Sequence, residues 1–351
     1  MLFTLALRLL LPATVVERYF SRGLFVAFRT AWDYTVGWLP VPLFYLFWLG
    51  VVLWLFHAGR RFVRQRRTQP VRGTRRALSS LAGHFSVAVL GLLLFFLWSW
   101  GFNYGRVPVE ERMGFQVYQP GLEALRERVY TTAERLAEYR AAVTADTSAL
   151  TAASFPADLE ATLRPLLRAA LLRHGYPAPG RPRGWRLQPR GILLHLSTAG
   201  VYWPWAAQGN IDAGLHPLQE PAVLAHELAH AYGFGDEGTC SFWAWLTAAE
   251  TDDPLLRYCL ELAYWRQLAG RLRYVDPENY LAWRQEMLDP GIRNDLEAIY
   301  ANSALYEDLA PALRDATYTA YLHAQGIPEG LLNYGRVVQL VEGYRRANGE
   351  N

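Results

Sequence analysis

The sequence of 351 residues contains no lysine, so all 35 of its Lys+Arg residues are arginines. This absence excludes mechanisms that need a lysine Schiff base or a lysine nucleophile. Cysteine is also scarce, because Cys240 and Cys259 are the only two. Two cysteines are too few for a disulfide scaffold, and neither belongs to a CxxC pair. The sequence therefore favours buried free thiols over a disulfide between them.

Acidic residues are missing from a long stretch near the N-terminus. No Asp or Glu occurs between Tyr34 and Val109, although the chain holds 32 of them. This stretch contains two uncharged apolar runs, residues 38–57 and 83–102, and each is long enough to cross the hydrocarbon core of a bilayer. We predict two membrane spans there, within an N-terminal membrane anchor formed by residues 1–105.

Residues 58–77, between the two runs, contain arginines but no acid. A short basic loop beside membrane spans remains on the cytoplasmic side, which would place residues 106–351 outside the cytoplasm. The position of the loop argues against nucleic-acid binding, so the expected partner is the lipid bilayer. The apolar segment 1–16 is short for a span and is predicted as a marginal span or an interfacial segment, followed by an amphipathic surface helix over 17–33.

Residues 106–351 combine helical and extended patterns, with helical patterns dominant. Residues 121–143 and 157–174 have helical spacing, and most of the chain after residue 218 is helical again. Residues 191–205 alternate like a strand, and GNIDAG (209–214) is typical of a short strand bounded by glycines. The prediction is an α+β fold, mostly helical, with one small sheet.

The segment His226-Glu227-Leu228-Ala229-His230 carries the clearest chemical signal in the chain. Residues four apart lie on the same face of an α-helix, so the two imidazoles can bind one Zn²⁺ at about 2.0–2.1 Å. Glu227 would lie beside the metal, where a carboxylate can accept a proton from the attacking water. The pattern predicts zinc bound by His226 and His230, with Glu227 as the catalytic base.

A third protein ligand is needed, because a catalytic zinc usually has three protein ligands and one open position. Three acids downstream of His230 are candidates. We expect Glu237, which follows a glycine-containing turn, and keep Glu250 and Asp236 as alternatives.

Five segments, in order along nearly the whole chain, are similar to segments of one bacterial membrane-protein family. They are ERYFSRGLF, GFNYGR, GVYWPW, HELAHAYGFGDEGTCSFWAWL and AYLHAQGIPEGLLNYGRVVQLV. In these segments the sequence resembles the family known as domain of unknown function 3810, which is zincin-like. The resemblance implies zinc at His226 and His230, Glu227 as base, and a multi-pass protein of the bacterial cytoplasmic (inner) membrane with an extracytoplasmic zincin-like domain.

The acidic stretch after the histidines departs from the family pattern, which reads roughly Glu-Asp-Glu-Ala-Asn-Phe. Here Glu237 keeps the first acid, and Thr239 stands where the later glutamate would be. If that glutamate is the ligand in the family, zinc in this protein depends on Glu237 or another group.

Two further features are candidates for roles in substrate binding and catalysis. In zincins an edge strand pairs with an extended peptide substrate, and GNIDAG is the candidate for that strand. His195 and His216 are candidates for hydrogen bonding to the transition state.

We therefore predict a membrane-anchored zinc metallohydrolase of the HExxH type, a peptidase that acts on peptide or protein substrates. The alternative is a catalytically inactive zinc-binding scaffold that docks a partner. Glu227 favours activity, because retention of zinc alone would not require it. Nothing in the sequence indicates which substrate is cut or the oligomeric state.

Overall fold

The computed structural model describes residues 1–68, 72–152, 155–156 and 158–349. These residues form a mostly helical fold with one three-stranded sheet, which confirms the predicted dominance of helices over a small sheet. The α-helices are α1 (Leu2–Leu10), α2 (Ala13–Val15), α3 (Phe25–Asp33), α4 (Leu43–Thr68), α5 (Arg72–Ser99), α6 (Val109–Met113), α7 (Leu122–Val143), α8 (Leu159–Arg173), α9 (Glu220–Ala231), α10 (Glu237–Leu246), α11 (Pro254–Val275), α12 (Pro277–Glu286), α13 (Pro290–Ser303), α14 (Pro311–Ala324) and α15 (Arg336–Ala347).

Shorter helical elements join several of these helices. A π-helix, Val16–Leu24, connects α2 to α3. The 3₁₀ helices within the described residues include Gly101–Gly105, Leu194–Leu196, Thr247–Glu250 and Gly330–Gly335.

Local sequence signals fix where many helices begin. Helices α11 to α14 each start at a proline, a position where the missing N–H costs no hydrogen bond. Aspartate side chains accept backbone N–H groups at the starts of four helices. These capping residues are Asp158 (α8), Asp236 (α10), Asp253 (α11) and Asp289 (α13).

The sheet consists of β1 (Gly184–Leu187), β2 (Gly200–Trp203) and β3 (Gln208–Asp212) in the order β1-β3-β2. β1 pairs with β3 in parallel, and β2 pairs with β3 antiparallel. GNIDAG therefore supplies the central strand, so the expectation that it is the edge strand is wrong. Among the described residues, β2 has a partner on one side only and takes the edge position.

The prediction of a strand across residues 191–205 is also corrected, because only Gly200–Trp203 is extended. The preceding residues form turns and a 3₁₀ helix. The cause is the buried carboxylate of Asp212, which accepts hydrogen bonds from the backbone N–H groups of Gly191, Leu193 and Leu194. These donors cannot then take part in a strand ladder.

In the part of the chain that the structure describes, two helices are long and apolar enough to cross a membrane, over Leu43–Arg64 and Leu78–Ser99. Both lie within a few residues of the predicted spans, and few of their residues are buried. The predicted loop at 58–77 is much shorter than expected, because α4 continues to Thr68 and α5 begins at Arg72. Arginine is a good helix former, so the helices extend past the apolar segments. The rest of that predicted loop, residues 69–71, lies outside the described residues.

The residues that precede the first apolar helix also contribute to the core around α9. Phe20 and Phe25 pack in one cluster with Trp100, which directly follows α5, with Tyr202 from β2 and with Ala231 from α9. The buried Arg29 donates to the Ala207 carbonyl at 2.6 Å. The segment predicted as a surface helix over 17–33 thus packs directly beside the helix that carries the two histidines.

Candidate metal centre

Helix α9 presents His226 and His230 on one face, as the four-residue spacing predicts. Both side chains are buried, and their ring centroids are 4.8 Å apart. The helix ends after Ala231, and Gly233 then adopts a φ of 91°, a left-handed conformation that glycine adopts without a Cβ penalty. This turn reverses the chain so that α10 begins beside the histidines.

Glu237, the first residue of α10, lies against both imidazoles. Its Oε2 atom is 3.0 Å from His226 Nε2 and 3.2 Å from His230 Nε2, and the two Nε2 atoms are 3.1 Å apart. Atoms bound tetrahedrally to zinc at about 2.0–2.1 Å are separated from one another by about 3.3 Å. The triangle formed by these three atoms therefore has nearly the size that a shared zinc ion requires.

The outer nitrogens of both rings are already engaged. His230 Nδ1 is 2.7 Å from the Phe234 carbonyl, and since a carbonyl can only accept, Nδ1 carries the hydrogen. His226 Nδ1 lies 3.0 Å from Ser241 Oγ. A neutral His230 consequently directs the lone pair of Nε2 toward His226 and Glu237. Partners of this kind on the far nitrogen are common for histidines that bind metals.

Burial and charge act in opposite directions on Glu237. Burial alone would raise the pKa of this carboxyl, but the two adjacent histidines outweigh it and lower the pKa below the ordinary glutamate range. Burial lowers the pKa of His226, an effect that Glu237 partly offsets. Burial would lower the pKa of His230, but Cys240 and Glu237 outweigh it and raise that pKa, so a metal ion bound here would replace a proton on this imidazole. Glu237 and His226 already favour the states in which each can bind a cation.

Cys240 offers a second way to complete the histidine pair. His226, His230 and Cys240 have potential ligand atoms within 4.8 Å of one another, and this buried cluster could hold a metal ion. However, Cys240 Sγ lies 3.3 Å from His230 Nδ1 and 3.4 Å from the Phe234 carbonyl. It is therefore on the side of the ring where Nδ1 is already hydrogen bonded. Burial also raises the pKa of the Cys240 thiol to about 12. Cys240 and Cys259 are both free and buried.

The two alternative acids lie elsewhere. Asp236 caps α10 through the Thr239 N–H at 2.7 Å, and its carboxylate also accepts from Asn333 and Arg336. Glu250 forms an ion pair with Arg173 at 2.8 Å, at the end of the 3₁₀ helix after α10. Of the three acids considered from the sequence, Glu237 is the one that contacts the histidines.

Glu227 is buried on the sheet side of α9, where it packs tightly against β2 and β3. A Cβ atom at Gly200 would come within 2.7 Å of Glu227 Oε1, and one at Gly209 within 2.9 Å of Glu227 Cβ. Burial raises the pKa of Glu227 to about 8, although the nearby His230 acts in the opposite direction. The Oε2 atom has no hydrogen-bond partner among the described residues. Glu227 thus lines the same cavity as the two histidines and keeps one buried carboxylate oxygen without a protein partner among the described residues.

Tyrosines from the C-terminal third contribute to the cavity wall beside Glu237 and His226, and the sequence patterns do not indicate them. Tyr318 donates a hydrogen bond to Glu237 Oε1 at 2.7 Å. The Tyr334 ring lies parallel to the His226 ring, with centroids 6.0 Å apart, and its hydroxyl is 3.3 Å from Tyr318. Burial and the charge of Glu237 raise the pKa of Tyr318 well above its ordinary value, so its hydroxyl stays protonated and donates.

A tetrapeptide that occurs twice in the sequence contributes residues to this wall and contacts the turn beside it. Asn-Tyr-Gly-Arg occurs at 103–106 and again at 333–336. Each copy overlaps the end of a 3₁₀ helix, and both copies contact the turn between α9 and α10. Arg106 donates to the Gly233 carbonyl at 2.8 Å, and Arg336 donates to Asp236 at 3.0 Å. The two copies therefore fix the two ends of the turn that brings Glu237 to the histidines.

His195 and His216 lie away from the histidine pair. His195 Nδ1 is 2.9 Å from the Glu307 carbonyl, and its ring packs against Tyr306. His216 Nδ1 lies near the Leu218 N–H at the start of the segment that leads into α9. Neither histidine lines the cavity that contains His226 and His230.

A cavity of about 1280 Å³ opens over the site. Its walls include the four residues His226, Glu227, His230 and Glu237, the whole of β2, and aromatic side chains from the end of α5. The backbone next to the site is held by Trp100, whose Nε1 donates to the His230 carbonyl at 2.8 Å. This volume is sufficient for an extended peptide segment or a ligand of similar size.

Comparison with protein families gives one match. The family model described as Protein of unknown function (DUF3810) matches residues 20–341. The chain belongs to this family. The matched residues include both apolar helices, the histidine pair and both Asn-Tyr-Gly-Arg segments of this chain. No curated protein and no solved structure matches the chain.

Proposed function

We propose that this DUF3810 protein is a membrane-anchored zinc metallopeptidase with a zincin-like outer domain. The observation that carries the proposal is the convergence of His226 Nε2, His230 Nε2 and Glu237 Oε2 within 3.2 Å of one another. Three electron-rich atoms directed at one point repel each other unless a proton or a cation lies between them. Nitrogen and oxygen ligands of this kind suit zinc.

The residues fit the metal after an expansion of the triangle by a few tenths of an ångström. The Nδ1 partners hold both rings in place, and the Tyr318 hydroxyl fixes the second oxygen of Glu237. When bound, zinc would supply Lewis acidity, polarising the substrate carbonyl and acidifying a water molecule. The protein would supply three ligands and leave the side toward the cavity open, which is the arrangement of catalytic rather than structural zinc.

Glu227 is assigned as the general base. Glu227 lines the cavity together with the histidines, its Oε2 atom has no partner among the described residues, and burial raises the pKa of its carboxyl to about 8, as suits a group that takes up a proton. In peptide hydrolysis Glu227 would take a proton from the attacking water. The oxygen adds to the carbonyl carbon, the C–N bond breaks, and the same proton passes to the departing amine nitrogen.

The membrane assignment rests on the two apolar helices and on the arginines at their far ends. Many apolar side chains along α4 and α5 are exposed, which suits lipid contact. With the arginines in the cytoplasm, the site would face outward from a bacterial inner membrane. Reporters fused after Gly105 and near Gln69 test this topology: the first should behave as extracytoplasmic and the second as cytoplasmic. The reversed result would contradict the orientation.

The catalytic part of the proposal is tested on the full-length protein in detergent. After removal of metal with a chelator and addition of one equivalent of zinc, hydrolysis of a peptide library is followed by mass spectrometry in ¹⁸O-water. We expect cleavage products that carry one ¹⁸O atom with zinc and none without it. Zinc binding with no cleavage of any peptide would favour the inactive scaffold.

A further inference from the structure

The cavity over the site continues along one face of the second apolar helix. Leu93, Phe96 and Trp100 all line it, and their spacing of three and four residues places them on the same face of the chain leaving α5. At 1.5 Å per residue, Leu93 lies about 10 Å from Trp100 along the helix axis. Leu93 and Phe96 belong to the apolar segment Leu78–Ser99, so the cavity extends from the histidines into the part of the molecule expected to lie in lipid.

The edge strand β2 also connects the site with the apolar helices. β2 begins at Gly200, beside Glu227, and ends at Trp203. Trp203 packs against Phe44 and Phe47 of α4, with ring centroids 5.2 and 5.3 Å away. One end of β2 therefore lies at the proposed catalytic base and the other at the outer end of an apolar helix.

An aromatic cluster marks this boundary. Trp205 stacks on Phe47 at 5.6 Å and donates its Nε1 hydrogen to the Leu92 carbonyl at 3.1 Å, so it joins α4 to α5. Trp48 packs 5.6 Å from Trp203. Tryptophans with one polar and one apolar side settle at the interface between lipid and water. The cluster thus places the membrane surface beside the end of β2.

From this arrangement we infer that the substrate is a membrane-anchored polypeptide, cut in the segment next to its own membrane span. The inference rests on the proposed peptidase function. The extended segment would pair with the free edge of β2, and its apolar continuation would follow the face of α5 that carries Leu93 and Phe96. Since β2 spans three residue steps from Gly200 to Trp203, at about 3.3 Å each, cleavage falls about three to five residues from the bilayer.

The test compares two substrates that differ only in attachment. The first is a peptide with a 20-residue apolar helix followed by ten randomised residues; the second has the same ten residues without the helix. Each is incubated with zinc-loaded full-length protein in vesicles of phosphatidylethanolamine and phosphatidylglycerol. Mass spectrometry then locates the cuts, and Glu227→Gln protein provides the background.

We expect the anchored library to be cut about 100-fold faster, because sharing a membrane raises the effective concentration and the cavity admits the adjoining apolar residues. The cuts should cluster within five residues of the helix. Equal rates for both libraries, or cuts spread evenly over the ten positions, would overturn the inference and leave the peptidase proposal intact. Failure to cut either library, or hydrolysis of the vesicle lipids in place of peptide, would contradict both.

A photocrosslinking measurement tests the path without requiring turnover. Benzoylphenylalanine is placed at Leu93 or at Val87 in Glu227→Gln protein, and both positions are exposed on α5. Val87 lies closer than Leu93 to the N-terminus of α5 and does not line the cavity. Crosslinks from position 93 should form mainly with substrate residues flanking the apolar helix. Equal yields from both positions would show that the substrate does not follow this face.

Discussion

Two buried glutamates lie on different sides of α9: Glu227 faces the sheet, and Glu237 lies on the side of the tyrosines Tyr318 and Tyr334. Their surroundings shift the pKa values of the two carboxyls in opposite directions. On the sheet side, Glu227 is enclosed by the glycines of β2 and β3, one of its oxygens has no partner among the described residues, and burial raises its pKa. On the other side, Glu237 lies against two imidazoles and a tyrosine hydroxyl, and its pKa is lowered.

The difference shows that the surroundings of a buried carboxylate, and not its residue type, determine the role to which it is suited. A carboxylate whose charge is stabilised by histidines and a hydroxyl is suited to remain ionised and bind a cation. A carboxylate whose burial raises its pKa, with one oxygen unpartnered, is suited to exchange a proton. If this account is right, substitutions on the two sides should have separable effects, one on chemistry and the other on metal binding.

The largest effect is expected on the sheet side. Glu227→Gln preserves shape but cannot accept a proton, so peptide hydrolysis should fall by about 10²- to 10⁴-fold with zinc content unchanged. Glu220→Gln, on the same helix and paired with Arg186 away from the site, is the matched control and should retain activity. Loss of zinc in Glu227→Gln protein would mean that a ligand has been mistaken for the base.

On the tyrosine side, Glu237→Ala should weaken zinc binding by more than about 100-fold, because loss of a ligand exceeds the effect of losing a residue that only supports one. Glu250→Ala removes a carboxylate bound to Arg173, and Asp236→Asn keeps a capping oxygen, so both should retain zinc. Zinc content is measured after dialysis against a weak chelator. Equal zinc in Glu237→Ala and the unmodified protein would refute the assignment.

A smaller effect is expected from the hydroxyl that supports Glu237. Tyr318→Phe removes the hydrogen bond to Oε1 and should weaken zinc binding by about 10- to 100-fold. Tyr321→Phe is the control, since its hydroxyl bonds to Tyr104 rather than to the glutamate. Competition with a fluorescent chelator gives both affinities. If the two variants bind zinc equally, Tyr318 does not position the ligand.

The smallest effect concerns the packing that encloses Glu227. In Gly209→Ala protein the new methyl group would lie 2.9–3.0 Å from Glu227 side-chain and backbone atoms, so the strand must move away from α9. Such overpacking costs about 1–3 kcal/mol and should lower the unfolding temperature. Gly270→Ala, in open space on α11, should be neutral or stabilising. Equal unfolding temperatures would show that β3 does not confine Glu227.

Short-range features of this protein could be predicted from the sequence. The pairing of His226 with His230 depends only on helical periodicity, and the apolar helices only on composition and length. Pro254 and Pro290 mark in the sequence the positions where α11 and α13 begin. The sheet order was not predictable, because pairing of β3 between β1 and β2 depends on contacts between distant segments.

The remainder of the site depends on packing that the sequence patterns do not encode. Asp236, Glu237 and Glu250 all lie downstream of His230, and the turn at Gly233 decides which of them faces the histidines. Tyr318 reaches the site from 81 residues beyond Glu237. The repeated Asn-Tyr-Gly-Arg segments are visible in the sequence, but their role depends on their contacts with the turn between α9 and α10.

X-ray absorption at the zinc edge tests the central claim most directly, because sulfur and nitrogen or oxygen ligands differ in distance. With zinc bound to His226, His230 and Glu237, the first shell of the full-length protein should contain nitrogen and oxygen at about 2.0–2.1 Å and no sulfur. A sulfur neighbour at about 2.3 Å would place the metal with Cys240 and contradict the account.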